Sequence, residues 1–120
     1  MEPVSGAPDD PLLTADDALR VIARVTEASP AKNVKLLADF YHLAVNGDDI
    51  AAVIEQHAAE FGHIQIADDP GRGAPGTGGL PLEGWIARSR ELGYEGYIGR
   101  EYKQSASTVF DWIARESRTR

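Results

Sequence analysis

Residues 61–80 read FGHIQIADDPGRGAPGTGGL, and their pattern decides the fold. The stretch opens as a short strand. Ile64 and Ile66 alternate with His63 and Gln65, which puts the isoleucines on one face and the polar pair on the other. Polar side chains pointing into a sheet interior are costly unless they bind something. The glycine- and proline-rich loop that follows supplies Asp68, Asp69 and Arg72 in a segment nearly free of bulky side chains. A strand that ends in polar groups and runs into a glycine loop is how an α/β protein builds a site.

Upstream, Gly47-Asp48-Asp49 is a turn with a cap, and Ile50, Val53, Ile54 and Ala58 form the stripe of a helix. The run Val34-Lys35-Leu36-Leu37-Ala38-Asp39 reads as a buried strand finishing on an acid. Thr14, with Asp17 three residues on, has the spacing of a capping box. Leu19, Val21, Ile22 and Val25 continue that helix until Pro30 ends it. Residues 1–13 read as an extended stub and a loop broken by Pro3, Pro8 and Pro11. Downstream, Leu82, Trp85, Ile86 and Leu92 mark a helix with Gly93 at its C-terminal end. Residues 94–101 give a turn and a strand that again ends on an acid. Ser105 and Thr108 precede a last helix bearing Val109, Trp112 and Ile113.

Strict alternation of short apolar strands and helices predicts a parallel sheet. About four βα units of roughly 30 residues fit the 120-residue chain, which reads as one partial domain over 1–120. The net charge of −7 and pI of about 4.8 repel phosphate backbones, so no nucleic-acid partner is expected. Cysteine is absent, which excludes disulfides and thiolate metal sites. No apolar run approaches the roughly 18 residues of a membrane span, and the acidic start MEPVSGAPDDP is unlike a secretory signal. The expected location is cytoplasmic, with no membrane partner.

Four polar groups fall at matching places. Glu2 lies at the end of the stub, Asp39 ends the second strand, Gln65 lies in the third and Glu101 ends the fourth. In a parallel sheet these ends are neighbours, and ligands bind there. Three carboxylates and an amide make an all-oxygen site of the kind that Mg²⁺ or Mn²⁺ prefers. Two glutamates flanking such an ion could exchange protons with a substrate. Each residue also has a plainer reading. The acids can be helix caps, Gln65 can bond a loop, and His63 can be a satisfied core histidine. His42 can be a loop residue, His57 a solvated one and Arg72 a surface cation. Joint placement at successive strand ends favours the site.

The runs MEPVS (1–5), KLLADFYH (35–42), GHIQIADDPGR (62–72), APGTGG (74–79) and LGYEGYIGREY (92–102) resemble the hydroxypyruvate isomerase family of xylose-isomerase-like TIM barrels. The resemblance implies an α/β fold, the C-terminal half of a (β/α)₈ TIM barrel. It implies a metal held by Glu2, Asp39, Gln65 and Glu101, with Glu2 and Glu101 as the catalytic acid/base pair. His42 and Arg72 would lie near the oxygens of a small hydroxy-carbonyl substrate. The implied reaction interconverts hydroxypyruvate and 2-hydroxy-3-oxopropanoate through an enediolate. A keto-sugar or 2-oxo-acid epimerase of the same superfamily is the alternative, and Gln65 favours the isomerase because the epimerases usually place a histidine there. A non-catalytic barrel fragment or subunit is a third reading. An endonuclease of the superfamily is disfavoured by the negative charge and by too few histidines for a zinc cluster.

The chain departs from the family at Ala74 and Gly79, where the family's loop carries acids. A TIM barrel also needs about 250 residues and eight strands, so the missing units should supply much of the substrate pocket. The quartet on its own is therefore expected to give little turnover. Half a barrel leaves two sheet edges open to pairing. The isolated chain is thus expected to dimerise, to pair with a chain completing the barrel, or to be poorly stable. Size-exclusion chromatography checks this, and a cooperatively melting monomer counts against it.

Overall fold

Thr14 and Asp17 start the first helix as their spacing predicts. The Thr14 hydroxyl accepts from the Asp17 amide at 3.2 Å, and the Asp17 carboxylate accepts from the Thr14 amide at 3.0 Å. This box opens α1 (Ala15–Ala28), which presses Ala15, Ala18, Leu19 and Ile22 onto the core. The computed structural model describes residues 1–30 and 32–103. The last helix expected from Ser105 lies outside them.

Three parallel strands follow in the spatial order β1-β2-β3: β1 (Leu36–Asp39), β2 (Phe61–Ile66) and β3 (Ile98–Arg100). β1 starts two residues later than its apolar run suggests, and β3 is shorter than the 94–101 segment assigned to it. The stub takes the fourth position through backbone bonds. The Met1 ammonium donates to the Lys35 carbonyl at 2.8 Å, and the Leu37 amide donates to the Met1 carbonyl at 2.8 Å. Those two bonds flank Leu36 in the manner of a parallel ladder.

One helix was not expected. α2 (Phe40–Val45) starts directly after β1, with Asp39 as its cap. α3 (Ile50–His57) is capped by Asp49, whose side chain accepts from the Ala52 amide, and a 3₁₀ turn (Ala58–Glu60) leads into β2. α4 (Leu82–Glu91) ends at Leu92, and Gly93 follows at φ +95°, where glycine carries no Cβ penalty.

The two faces of the sheet differ as the alternation of 63–66 predicts. Leu36, Ala38, Ile64 and Ile66 are buried against Phe40, Leu43, Ile50, Ile54 and Leu82 of the helices. Phe61 joins that side because the register shifts between Leu36 and Leu37, which sets Gly62 opposite the shift. A Cβ on Gly62 would lie 2.7 Å from the Lys35 Cβ, so only glycine fits there. Phe40 then meets Phe61 and Trp85 edge-on at 6.3 and 5.8 Å between ring centres. Such contacts are each worth about 0.5–1.5 kcal/mol beyond the area they bury. The other face carries His63 and Gln65, and Gly99 of β3 lies beside them. A Cβ on Gly99 would sit 3.0 Å from the His63 Nε2 and 3.2 Å from the Gln65 Cγ.

Tyr94 ties β2 to the turn before β3. Its buried hydroxyl accepts from the Ile64 amide at 3.1 Å and donates to the Tyr97 carbonyl at 2.7 Å. Tyr94→Phe strands that amide and is expected to cost about 1–3 kcal/mol. Urea unfolding measures it; a loss below a few tenths would show that the hydroxyl is dispensable.

Candidate metal and substrate site

The strand ends converge as the alternating topology requires. Asp39 is the key residue, because its two oxygens serve different masters. Oδ1 accepts from the Tyr41 amide at 2.9 Å and from the His42 amide at 3.4 Å, which caps α2. Oδ2 is buried with no hydrogen bond among the described residues, and its charged neighbours there are the Arg72 Nη2 at 3.6 Å and the His42 Nε2 at 3.8 Å. Glu2 arrives from the stub, one residue beyond the bonds that Met1 makes to β1. Glu101 follows β3, where its amide donates to the Ile66 carbonyl at 3.1 Å. Glu2, Asp39, His42 and Glu101 each offer a ligand atom within 4.8 Å of the others.

Three of the four expected ligands are therefore together, and His42 joins them. Gln65 is the register partner of both Asp39 and Gly99, so it shares their face between the two outer strands. Its Oε1 is buried and has no hydrogen-bond partner among the described residues. Two orphaned acceptor oxygens, one on Asp39 and one on Gln65, are costly as they stand and are suited to a hard cation. The residues present thus fit a divalent ion of the Mg²⁺ or Mn²⁺ kind.

The electrostatics agree. Burial raises the Glu2 carboxyl above its ordinary value, and Asp39 and Glu101 nearby raise it further against the pull of Arg72. Burial likewise raises Asp39, although His42, two amide bonds and Arg72 oppose the shift. Burial lowers His42, with Arg72 adding to the effect and the two acids opposing it. Burial is the leading cause in all three groups.

His42 is more constrained than its position in the sequence suggests. The Ser5 amide donates to its Nδ1 at 3.0 Å, and the Ser5 hydroxyl lies 2.8 Å from the same atom. An amide can only donate, so Nδ1 holds a lone pair and the neutral ring carries its proton on Nε2, towards Asp39. Sequence reasoning missed Ser5, whose partner is 37 residues away. His57, by contrast, lies away from the site and pairs with Glu60 at 2.7 Å.

Asp68 does not face the site. Its buried carboxylate accepts from the amides of Asp69, Gly76 and Leu80 at 2.9–3.0 Å, and from Gly78 as well. Burial alone would raise its pKa, but these amide bonds together hold it below the ordinary value. The Asp68 backbone also exchanges both bonds with Gly73 at 2.8 and 2.9 Å. Asp68 thereby fixes the loop that presents Arg72. Gly78 is packed so closely on the Asp69 carbonyl and the Asp68 carboxylate that no Cβ fits.

A family model described as the xylose isomerase-like TIM barrel matches residues 1–118. The chain belongs to this family. Its three parallel strands with helices on one face are a fragment of the (β/α)₈ barrel. A Streptomyces coelicolor protein provisionally named a hydroxypyruvate isomerase is 48% identical over 89% of this chain. The hydroxypyruvate isomerase of Escherichia coli is 36% identical over 63% of it. The chain spans 39% and 30% of these two relatives' own lengths. Among solved structures, a 3-keto-D-glucoside 4-epimerase from E. coli aligns with a TM-score of 0.75 at 30% identity, covering 88% of this chain and 38% of the epimerase. An AP endonuclease of family 2 from Brucella melitensis aligns at 0.76 and 28%, covering 92% and 43%. Among the described residues no helix is long and apolar enough to cross a membrane.

Asp68→Asn is expected to cost about 1–3 kcal/mol at neutral pH, because an amide replaces a charged acceptor of several N–H groups. A lowered carboxyl pKa stabilises the fold above the ordinary value of 3.8 and loses that contribution as pH falls through the lowered one. The gap between wild type and Asp68→Asn in thermal melts should therefore shrink below pH 3.8. A gap that is constant with pH would remove the charge from the explanation.

Proposed function

We propose that this site is the metal centre of an isomerase acting on a small hydroxy-carbonyl compound, with hydroxypyruvate and 2-hydroxy-3-oxopropanoate as the leading pair. The observation that carries the reading is the pair of buried oxygens on Asp39 and Gln65, unpartnered among the described residues, beside Glu2 and Glu101. The hydroxypyruvate isomerases among the relatives support the substrate class. A bound Mg²⁺ or Mn²⁺ would polarise the substrate's carbonyl and neighbouring hydroxyl.

Glu2, Asp39, Gln65 and Glu101 would hold that ion. Glu2 and Glu101 are the acid/base pair. One takes the proton from C3 of hydroxypyruvate, which leaves an enediolate, and a proton is returned to C2 as the C3 hydroxyl becomes the aldehyde. The raised pKa of Glu2 suits a group that must both take and give a proton. The His42 Nε2–H and the Arg72 guanidinium are the donors placed to steady the substrate's oxygens.

A second reading keeps the same site for a keto-sugar or 2-oxo-acid epimerase or isomerase. It draws on a 3-dehydro-D-guloside 4-epimerase from E. coli, 31% identical over 82% of this chain, and a 2-oxo-tetronate isomerase from Cupriavidus necator, 38% identical over 65%. In either case the working unit is a completed barrel, through a second copy or a chain bearing the remaining βα units. Without it the chain is a non-catalytic barrel subunit. A cytoplasmic setting is compatible with a chain that has no cysteine.

The test compares the chain alone with a fusion carrying the preceding βα units of the Streptomyces coelicolor relative, each with Mn²⁺ and with EDTA. Turnover of hydroxypyruvate is expected in the fusion with Mn²⁺. Glu101→Gln should lower kcat there at least 100-fold, the usual scale of a lost proton-transfer group. A folded fusion that turns over nothing with Mn²⁺ would sink the hydroxypyruvate reading.

A further inference from the structure

Arg72 is held over the acidic cluster with unusual care. It lies at φ +60° in the left-handed region, next to Gly71 at +90°. A side-chain-bearing residue there costs about 1 kcal/mol or more, so the surrounding bonds must hold it. They do so from both ends. The Arg72 carbonyl accepts from the Lys103 amide at 2.7 Å, and neighbouring Gly73 exchanges both backbone bonds with Asp68. The guanidinium Nε donates to the Glu101 carbonyl at 3.1 Å, and Nη2 lies 2.5 Å from the Glu101 Oε2. The same Nη2 is 3.6 Å from the Asp39 Oδ2, and the guanidinium carbon stands 5.7 Å over the Tyr41 ring.

We infer that Arg72 sets the charge of the cluster and competes with a divalent cation for the oxygens of Glu101 and Asp39. This rests on the metal-centre reading and goes beyond the role of Arg72 as a substrate contact. Glu2, Asp39 and Glu101 bring three negative charges, and Arg72 reduces them to two. A divalent ion then neutralises the site. The arginine acts against that ion in two ways: like charges repel at this range, and the Asp39 Oδ2 and Glu101 Oε2 that face the guanidinium are oxygens a cation would also use. The result is a centre that binds its metal less tightly than three bare carboxylates and keeps it exchangeable. The loop from Asp68 to Leu80 thereby reaches the metal chemistry without supplying a ligand.

The test is Mn²⁺ binding to the full chain, followed by calorimetry and by the loss of the free-ion electron paramagnetic signal. Arg72→Met removes the charge, whereas Arg72→Lys keeps it. Arg72→Met should bind Mn²⁺ at least fivefold more tightly than wild type. Arg72→Lys should stay within about threefold of wild type, since electrostatic repulsion depends on charge rather than on the fork. Thermal melts of the three proteins show whether each is folded. Equal or weaker binding by a folded Arg72→Met overturns the inference and leaves the metal centre standing. If neither wild type nor Arg72→Met takes up Mn²⁺, the inference and the metal-centre reading fail together.

Discussion

The structure depends on how Asp39 divides its carboxylate. One oxygen caps α2 and the other faces the site, buried and without a hydrogen bond among the described residues. The cap fixes the side chain's direction, because Oδ1 cannot reach the Tyr41 and His42 amides unless Oδ2 points the opposite way. It also starts a helix with no intervening turn, so His42 lands within 4.8 Å of the same oxygens. A single local bond pattern therefore places an acid and an imidazole together. Ser5 fixes the ring from its far side.

The sheet supplies the rest by keeping its faces distinct. Apolar Leu36, Ala38, Ile64 and Ile66 press on the helices, and the alternation then sends Gln65 to the opposite side with Asp39. Glycine makes room where strands approach. Gly99 leaves space for His63 and Gln65, and Gly62 absorbs the register shift that turns Phe61 into the core. Packing and chemistry are thus two consequences of one period-two pattern, and a slip by one residue would exchange them.

Much of this was legible because it is local. The Thr14–Asp17 box, the Asp49 cap, Gly93 and the face alternation of 63–66 all lie within a few residues of their cause. The positions of Glu2, Asp39 and Glu101 at strand ends could be read, and the structure brings these three together. α2 could not be read, since its cap was already counted as a strand end and six residues leave little periodicity. The role of Asp68 was hidden for another reason. Its partners are backbone amides, two of them on glycines, and a backbone amide has no sequence signature. An acid in a glycine loop looks like a ligand until the amides around it are seen.

Asp68 and the strand-end acids show two opposite uses of a buried carboxylate. Asp68 is surrounded by donors, so its ionised form is favoured and it stabilises the fold above its ordinary pKa. Glu2 and Asp39 are crowded by burial, and Glu2 also by its acidic neighbours, so their pKa values rise. The sign is then reversed: the folded state binds these protons more tightly than the unfolded chain, and stability falls as pH rises from the ordinary carboxyl value through the raised one. At neutral pH the cluster is a place where the fold gives up stability. Arg72 offsets part of that cost from one side, and the α2 amides offset part from another. The loop that Asp68 stabilises is the same loop that carries Arg72. Asp68 thus holds the loop whose Arg72 meets the carboxylates of Asp39 and Glu101.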